Sequence, residues 1–126
     1  MIWFTADDHI YHTKIITYCK RPFSNIDNMN EILIKRWNER VKPEDTIYVV
    51  GDFILCNDRS LVLDIVNRLN GNIILIPGDH DSSSYGINRI NIAKPIVTLK
   101  LDNVPPITLC HWAFRVFPKS HYNAWH

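Results

Sequence analysis

The sequence predicts an α/β fold, a mixed β-sheet flanked by helices, and three observations carry that prediction. Short apolar runs at Ile2–Ala6, Thr46–Val50 and Asn72–Ile76 lack polar alternation, the pattern of strands buried on both faces. Segments with helical periodicity separate them, so strand and helix alternate through the first 77 residues. Each of these strands, and a further one at Ile107–Cys110, runs directly into carboxylate or imidazole side chains. In an open α/β sheet, ligands gather outside the carboxyl ends of the strands.

The elements follow in order. Ile2–Ala6 starts the fold as a buried strand. Ser24-x-x-Asp27 has the form of a helix start, and Met29, Ile32, Leu33, Trp37 and Val41 recur at helical spacing until Pro43. Thr46–Val50 is β-branched and aromatic, hence a strand. Asp58 to Leu69 returns to helix, with Val62, Ile65, Val66 and Leu69 on one face and Asn70-Gly71 as the stop. Asn72–Ile76 is again a strand, and right-handed crossovers imply parallel pairing of all three. Beyond it, Ser82 to Gly86 is a loop. Ile96–Leu101 and Ile107–Cys110 flank a turn at Asp102-Asn103 and form an antiparallel pair whose edge Pro105-Pro106 blunts.

A chain of 126 residues, 46% hydrophobic and 21% charged, is expected to form a single domain over residues 1–126. A net charge of +1 gives no bulk electrostatic footprint for duplex DNA or a membrane surface. Cys19, Cys56 and Cys110 form no CxxC pair and leave an odd thiol, which argues against a disulfide framework and for a reducing, cytoplasmic setting. No apolar run approaches the roughly 20 residues of a membrane span. Asp7 and Asp8 interrupt the N-terminal apolar stretch where a signal peptide would continue.

The strand ends carry the chemistry. Asp7-x-His9 puts two side chains on one face if the segment is extended. Gly51-Asp52 combines a residue that permits a sharp turn with a carboxylate able to bridge two cations. Gly78-Asp79-His80-Asp81 sets three ionisable side chains in a row after a buried strand, a mutually repulsive arrangement unless compensated. His111 follows the last strand. Asp and His without Cys suit Mn²⁺, Fe²⁺, Ni²⁺ or Zn²⁺. Two such ions roughly 3.5–4 Å apart would clamp a phosphate and assist its in-line displacement.

The ordered set Asp7-x-His9, Gly51-Asp52, Gly78-x-His80-Asp81 and His111 resembles the calcineurin-like metallophosphoesterase family, whose pattern is DxH, GD, GNHD, H and GHxH. Trp3-Phe4-Thr5, Tyr18 to Phe23, Arg36-Trp37-Asn38 and Lys42 to Thr46 resemble its small phage and bacterial members. The resemblance implies a metal-dependent phosphoesterase acting on phosphomonoesters or phosphodiesters through a dinuclear centre. Asp7 and His9 would hold the first metal, Asp52 would bridge both, and Asp79 with His111 would hold the second. His80 would be catalytic, with Asp81 orienting its imidazole, and His12 and Arg21 are candidates on the substrate side.

Two departures from the family pattern shape the expectation. Position 79 is Asp where the family has Asn, which lowers the net charge of the centre by one and makes a bridging hydroxide harder to form. The chain ends at His126, before a GHxH motif, so a C-terminally shortened fold is expected; water, substrate or a neighbouring chain could fill the missing ligand positions, and His121 or His126 could substitute although neither stands in a Gly-His-x-His context. The shortening would leave an edge that a homo-oligomer covers. The competing expectation is a catalytically impaired metal-binding, phosphate-binding or regulatory protein on the same fold. No feature selects the phosphoester substrate.

Overall fold

A computed structural model of the chain describes residues 1–115 and 124–125; His121 and His126 lie outside them. The elements are β1 (Ile2–Thr5), α1 (Thr13–Tyr18), α2 (Ile26–Arg40), β2 (Thr46–Val50), α3 (Arg59–Arg68), β3 (Asn72–Ile76), a 3₁₀ turn (Ser82–Ser84), β4 (Ile90–Ile92), β5 (Val97–Leu99) and β6 (Ile107–Leu109). The class is α/β as expected, with a parallel four-stranded sheet in the order β1-β2-β3-β4. The antiparallel pairing of the second half forms a separate two-stranded ladder, β5 against β6.

A parallel sheet that grows in one direction through right-handed crossovers places its helices on one face. The core shows this: Ile47 and Val49 of β2 and Ile73 and Leu75 of β3 pack with Ile34 and Trp37 of α2 and Val62, Ile65 and Val66 of α3. Phe53, fully buried just beyond β2, stacks on Trp37 at 5.8 Å. The opposite face is thinner. There Phe4 stacks on Tyr48 at 5.7 Å, and Ile2 and Phe4 remain 41% and 44% exposed.

Caps set the helices. Asn25, one residue after the expected Ser24, accepts from the Asn28 N–H at 2.8 Å, and Asp58 accepts from the Ser60 and Leu61 N–H groups. At their far ends α2 and α3 are stitched together: the Trp37 indole donates to the Asn70 carbonyl, and the Asn38 amide pairs with Arg68 and Asn70. Ile32 and Leu33 are only half-buried, whereas Asn30 is buried because its side-chain oxygen receives the Tyr11 N–H.

Two elements were not expected, α1 and β4. The three residues of β4 are too few to show a period; β3 imposes the strand by pairing Ile73, Ile74 and Leu75 with Ile90, Asn91 and Ile92. The outer edge of β6 is met by Trp125, whose N–H donates to Pro106 and whose carbonyl accepts from Thr108. The described residues contain no helix long and apolar enough to cross a membrane.

Asp45 ties the start of β1 to the loop before β2. Its carboxylate accepts from the Met1 ammonium at 2.6 Å, the Trp3 indole at 2.9 Å and the Lys42 N–H at 3.0 Å. These partners, the ammonium foremost, hold its carboxyl below the ordinary carboxylate range. A group with a lowered folded pKa stabilises the fold above the unfolded value, about 4, and loses that contribution as pH falls further. Thermal melts between pH 6 and pH 3 should therefore fall more steeply for the wild type than for Asp45→Asn. Parallel acid limbs would refute this role.

Candidate metal centre

The loops after β1, β2 and β3 and His111, two residues beyond β6, converge on one crevice at the carboxyl edge of the sheet. β1 ends at Thr5, and Asp7 and His9 both adopt left-handed backbone angles, φ 55° and 52°. Their convergence therefore comes from a turn and not from strand alternation. Asp52 is also left-handed, at φ 52°. Such angles cost non-glycine residues on the order of 1 kcal/mol or more, and persist only where surrounding contacts enforce them. The enforcing contacts are present. Asp7 N–H donates to Gly51 O at 3.1 Å, His9 N–H to Asp52 O at 2.9 Å and Ile10 N–H to Phe53 O at 2.9 Å, so the two loops continue the parallel pairing.

Asp52 stands at the centre. Its Oδ2 lies 3.6 Å from His9 Nε2 and 3.6 Å from His111 Nε2, and its Oδ1 accepts the His80 backbone N–H at 3.2 Å. His9 Nε2 is also 3.8 Å from Asp7 Oδ1. Among the described residues, Asp7, Asp52 and His111 offer ligand atoms that all lie within 4.8 Å of one another. Burial lowers the basicity of His9 by more than the Asp52 carboxylate restores, which favours the neutral, ligating imidazole. Two donors each about 2.1 Å from one ion at a tetrahedral angle lie roughly 3.4 Å apart, close to the observed spacings. This donor set fits divalent cations.

Two glycines make room for it. Gly51, at φ 75°, lies so close to the His111 ring that a Cβ there would collide with the imidazole. A Cβ on Gly78 would stand 2.8 Å from Asp52 Oδ1 and 2.9 Å from His111 Cδ2. The His111 Nδ1 donates to the Val50 carbonyl at 3.3 Å, which turns Nε2 toward Asp52.

The remaining site residues fall in different places. Asp79 and His80 are exposed and line a cleft of about 350 Å³ beside the ligands, with Tyr11, His12, Cys56, Asn57, Ser82 and Ser83. Asp79 is not among the described residues that converge within ligand distance. Asp81, expected to orient the His80 imidazole, is buried and accepts three backbone N–H groups instead: Asp52 at 2.9 Å, Phe53 at 2.8 Å and Gly78 at 2.6 Å. Arg21 donates to the Asp7 and Asp8 carbonyls at 2.6 and 2.8 Å, and so holds the first ligand loop.

Two features escaped sequence reasoning. Asp8 is turned inward: burial pushes its carboxyl up to about 7, its Oδ1 accepts from the Thr5 hydroxyl at 3.2 Å, and its Oδ2 has no hydrogen-bond partner. His9 Nδ1 meets His12 Nδ1 at 2.9 Å. A polar residue beside a ligand motif signals neither arrangement, because both depend on the turn that follows β1.

A parallel sheet whose strand ends bring carboxylates and imidazoles around one shared Asp defines a class of α/β proteins with a candidate metal site at the carboxyl edge of the sheet. The sequence model of that class described as "Calcineurin-like phosphoesterase" matches residues 1–118, and the chain belongs to this family. It is similar to the uncharacterized protein MJ1445 of Methanocaldococcus jannaschii, 43% identical over 81 residues, 64% of this chain and 46% of that protein. It is also similar to the Gene 66 proteins of two Mycobacterium phages. The identity is 27% for phage L5, covering 69% of this chain and 42% of the relative, and 33% for phage D29, covering 64% and 40%. The solved structure of a protein of unknown function, AQ665 from Aquifex aeolicus, superposes with a TM-score of 0.73 at 28% identity, over 89% of this chain and 60% of that one. The chain thus spans less than half the length of these curated relatives.

Asp81→Asn replaces one acceptor oxygen with an NH₂ group that faces backbone donors. A loss of about 1–3 kcal/mol in chemical denaturation is expected, with weaker Mn²⁺ binding. Wild-type stability and wild-type metal affinity together would show that the three hydrogen bonds do not hold the centre.

Proposed function

We propose that the chain hydrolyses phosphomonoesters or phosphodiesters at a dinuclear metal centre, with Asp52 as the bridging ligand. The observation that carries the reading is the position of Asp52 Oδ2, equidistant from two imidazole nitrogens on different strand ends. Asp7 and His9 would hold one ion and His111 the other, and Asp79, exposed outside the converging set, would have to turn in from the cleft wall to complete the second. The ions would supply positive charge to the phosphate and lower the pKa of water at the site.

The chain's own residues do the rest. His80 lines the cleft beside the ligands and gives a proton to the leaving oxygen, the role of a general acid. Its backbone N–H donates to Asp52 at 3.2 Å, which ties the residue carrying the acid to the proposed bridging ligand. Arg21 and Asp81 act through the backbone, on the first ligand loop and on the Asp52 turn. Asp and His donors without thiolate support Mn²⁺, with Fe²⁺, Ni²⁺ or Zn²⁺ as substitutes. A cytoplasmic setting accords with three free thiols.

With Mn²⁺ present, the protein should hydrolyse an aryl phosphodiester, and Asp52→Asn or His80→Ala should lower kcat by about 100-fold or more. Turnover unchanged in either folded variant rejects the mechanism. A second reading, a metal- or phosphate-binding regulatory protein on the same fold, is favoured by the exposed position of Asp79 outside the converging ligands. Phosphate binding without turnover across all four metals would select it. Self-association over the exposed Ile2 and Phe4 face belongs to the same proposal; a monomer by sedimentation removes it.

A further inference from the structure

The imidazoles of His9 and His111 present the same nitrogen to Asp52 but rest on chemically different supports. Behind His111 stands the Val50 carbonyl, which can only accept; the Nδ1 of His111 therefore carries the proton and its Nε2 the lone pair. Behind His9 stands another imidazole nitrogen, His12 Nδ1 at 2.9 Å, which can donate or accept. Two ring nitrogens at that distance share one proton, and whichever ring holds it fixes the tautomer of the other.

We infer that His12 is the positioning residue for His9 and that it presents its own Nε2–H to the substrate cleft. The inference rests on the reading of Asp7, His9 and Asp52 as metal ligands. A ligating nitrogen must keep its lone pair, and the nitrogen of His9 that faces Asp7 and Asp52 is Nε2. Engagement of Nε2 leaves the proton of a neutral His9 on Nδ1, so His12 Nδ1 accepts it. A neutral His12 then carries its proton on Nε2. Its ring lines the cleft, 6.4 Å from the His80 ring between centroids, so this donor stands beside the proposed general acid.

The local backbone is arranged for this contact. His12 N–H closes a turn on the His9 carbonyl at 3.0 Å, and Tyr11 between them takes a left-handed φ of 65°. His12 also occupies the N-cap of α1, where Ser, Asp or Asn would bond the helix, yet its side chain makes no cap hydrogen bond. The imidazole is committed to His9 and the cleft, and α1 begins without that stabilisation.

Two substitutions separate the functions. His12→Asn retains an acceptor near the position of Nδ1 but loses the Nε2–H, whereas His12→Phe keeps ring volume and loses both. Calorimetric titration with Mn²⁺ should show affinity reduced about 10- to 100-fold in His12→Phe and close to wild type in His12→Asn. Turnover of the aryl phosphodiester should fall at least about tenfold in both. In Zn²⁺-loaded wild type, ¹⁵N spectra of the histidine rings should show Nδ1–H on His9 and Nε2–H on His12, a readout that needs no variant to fold. A proton on His12 Nδ1, or unchanged Mn²⁺ affinity in folded His12→Phe, overturns the inference. If His9→Ala loses metal while His12→Phe retains it, this inference alone fails. If the wild type binds no metal, the metal-centre reading fails and this one falls with it.

Discussion

The carboxylate of Asp81 is the contact on which the centre depends. It accepts the N–H groups of Asp52 and Phe53, at the end of β2, and of Gly78, at the end of β3. Two loops that approach from neighbouring strands are thereby locked to each other by one buried side chain, with charge-assisted bonds stronger than neutral ones. Loss of this contact would leave three backbone donors, two of them buried, without their acceptor and loosen the turn that aims Asp52. Both imidazoles, of His9 and His111, are 3.6 Å from Asp52 Oδ2, so its placement governs the geometry between them.

Around this anchor the chain stores local strain and offsets it with packing. Asp7, His9 and Asp52 all have left-handed backbone angles, and each belongs to a segment hydrogen-bonded to the neighbouring loop. Immediately beyond, Ile10, Phe53 and Ile54 are almost fully buried and bind the same two loops into the core. These strained residues thus sit between the sheet and a packed anchor, an arrangement that holds a site's geometry in place.

Much of this was legible in the sequence because burial and chemistry leave patterns there. β2, β3, α2 and α3 are readable from apolar runs and periodicity, and the convergence of Asp7, Asp52 and His111 from their positions at strand ends. The geometry of Asp7-x-His9 was not: strand alternation suggested a shared face, but the strand has already ended and the turn decides. Asp81 could not be separated from His80 by sequence, since an Asp beside a His reads equally as a partner of the ring or of the backbone. The strand β4 and the short helix α1 owe their existence to tertiary neighbours, and three or six residues carry too little periodicity to announce them.

The five aspartates of the centre show what the fold adds to a local acidic pattern. Asp8 is half-buried, with its Oδ2 enclosed and unpartnered and its carboxyl raised to about 7, so desolvation favours its neutral form below that pH. Asp81 has its charge matched by three backbone dipoles. Asp79 is exposed at the cleft. Only Asp7 and Asp52 combine proximity to imidazole nitrogens with open oxygen positions. Residue type alone would make all five equivalent, and like charges gathered at one sheet edge would repel. Their environments differ because one side chain turns in, one is held by backbone and one faces water, which leaves the uncompensated negative charge at the point between His9 and His111 where cations are best accommodated.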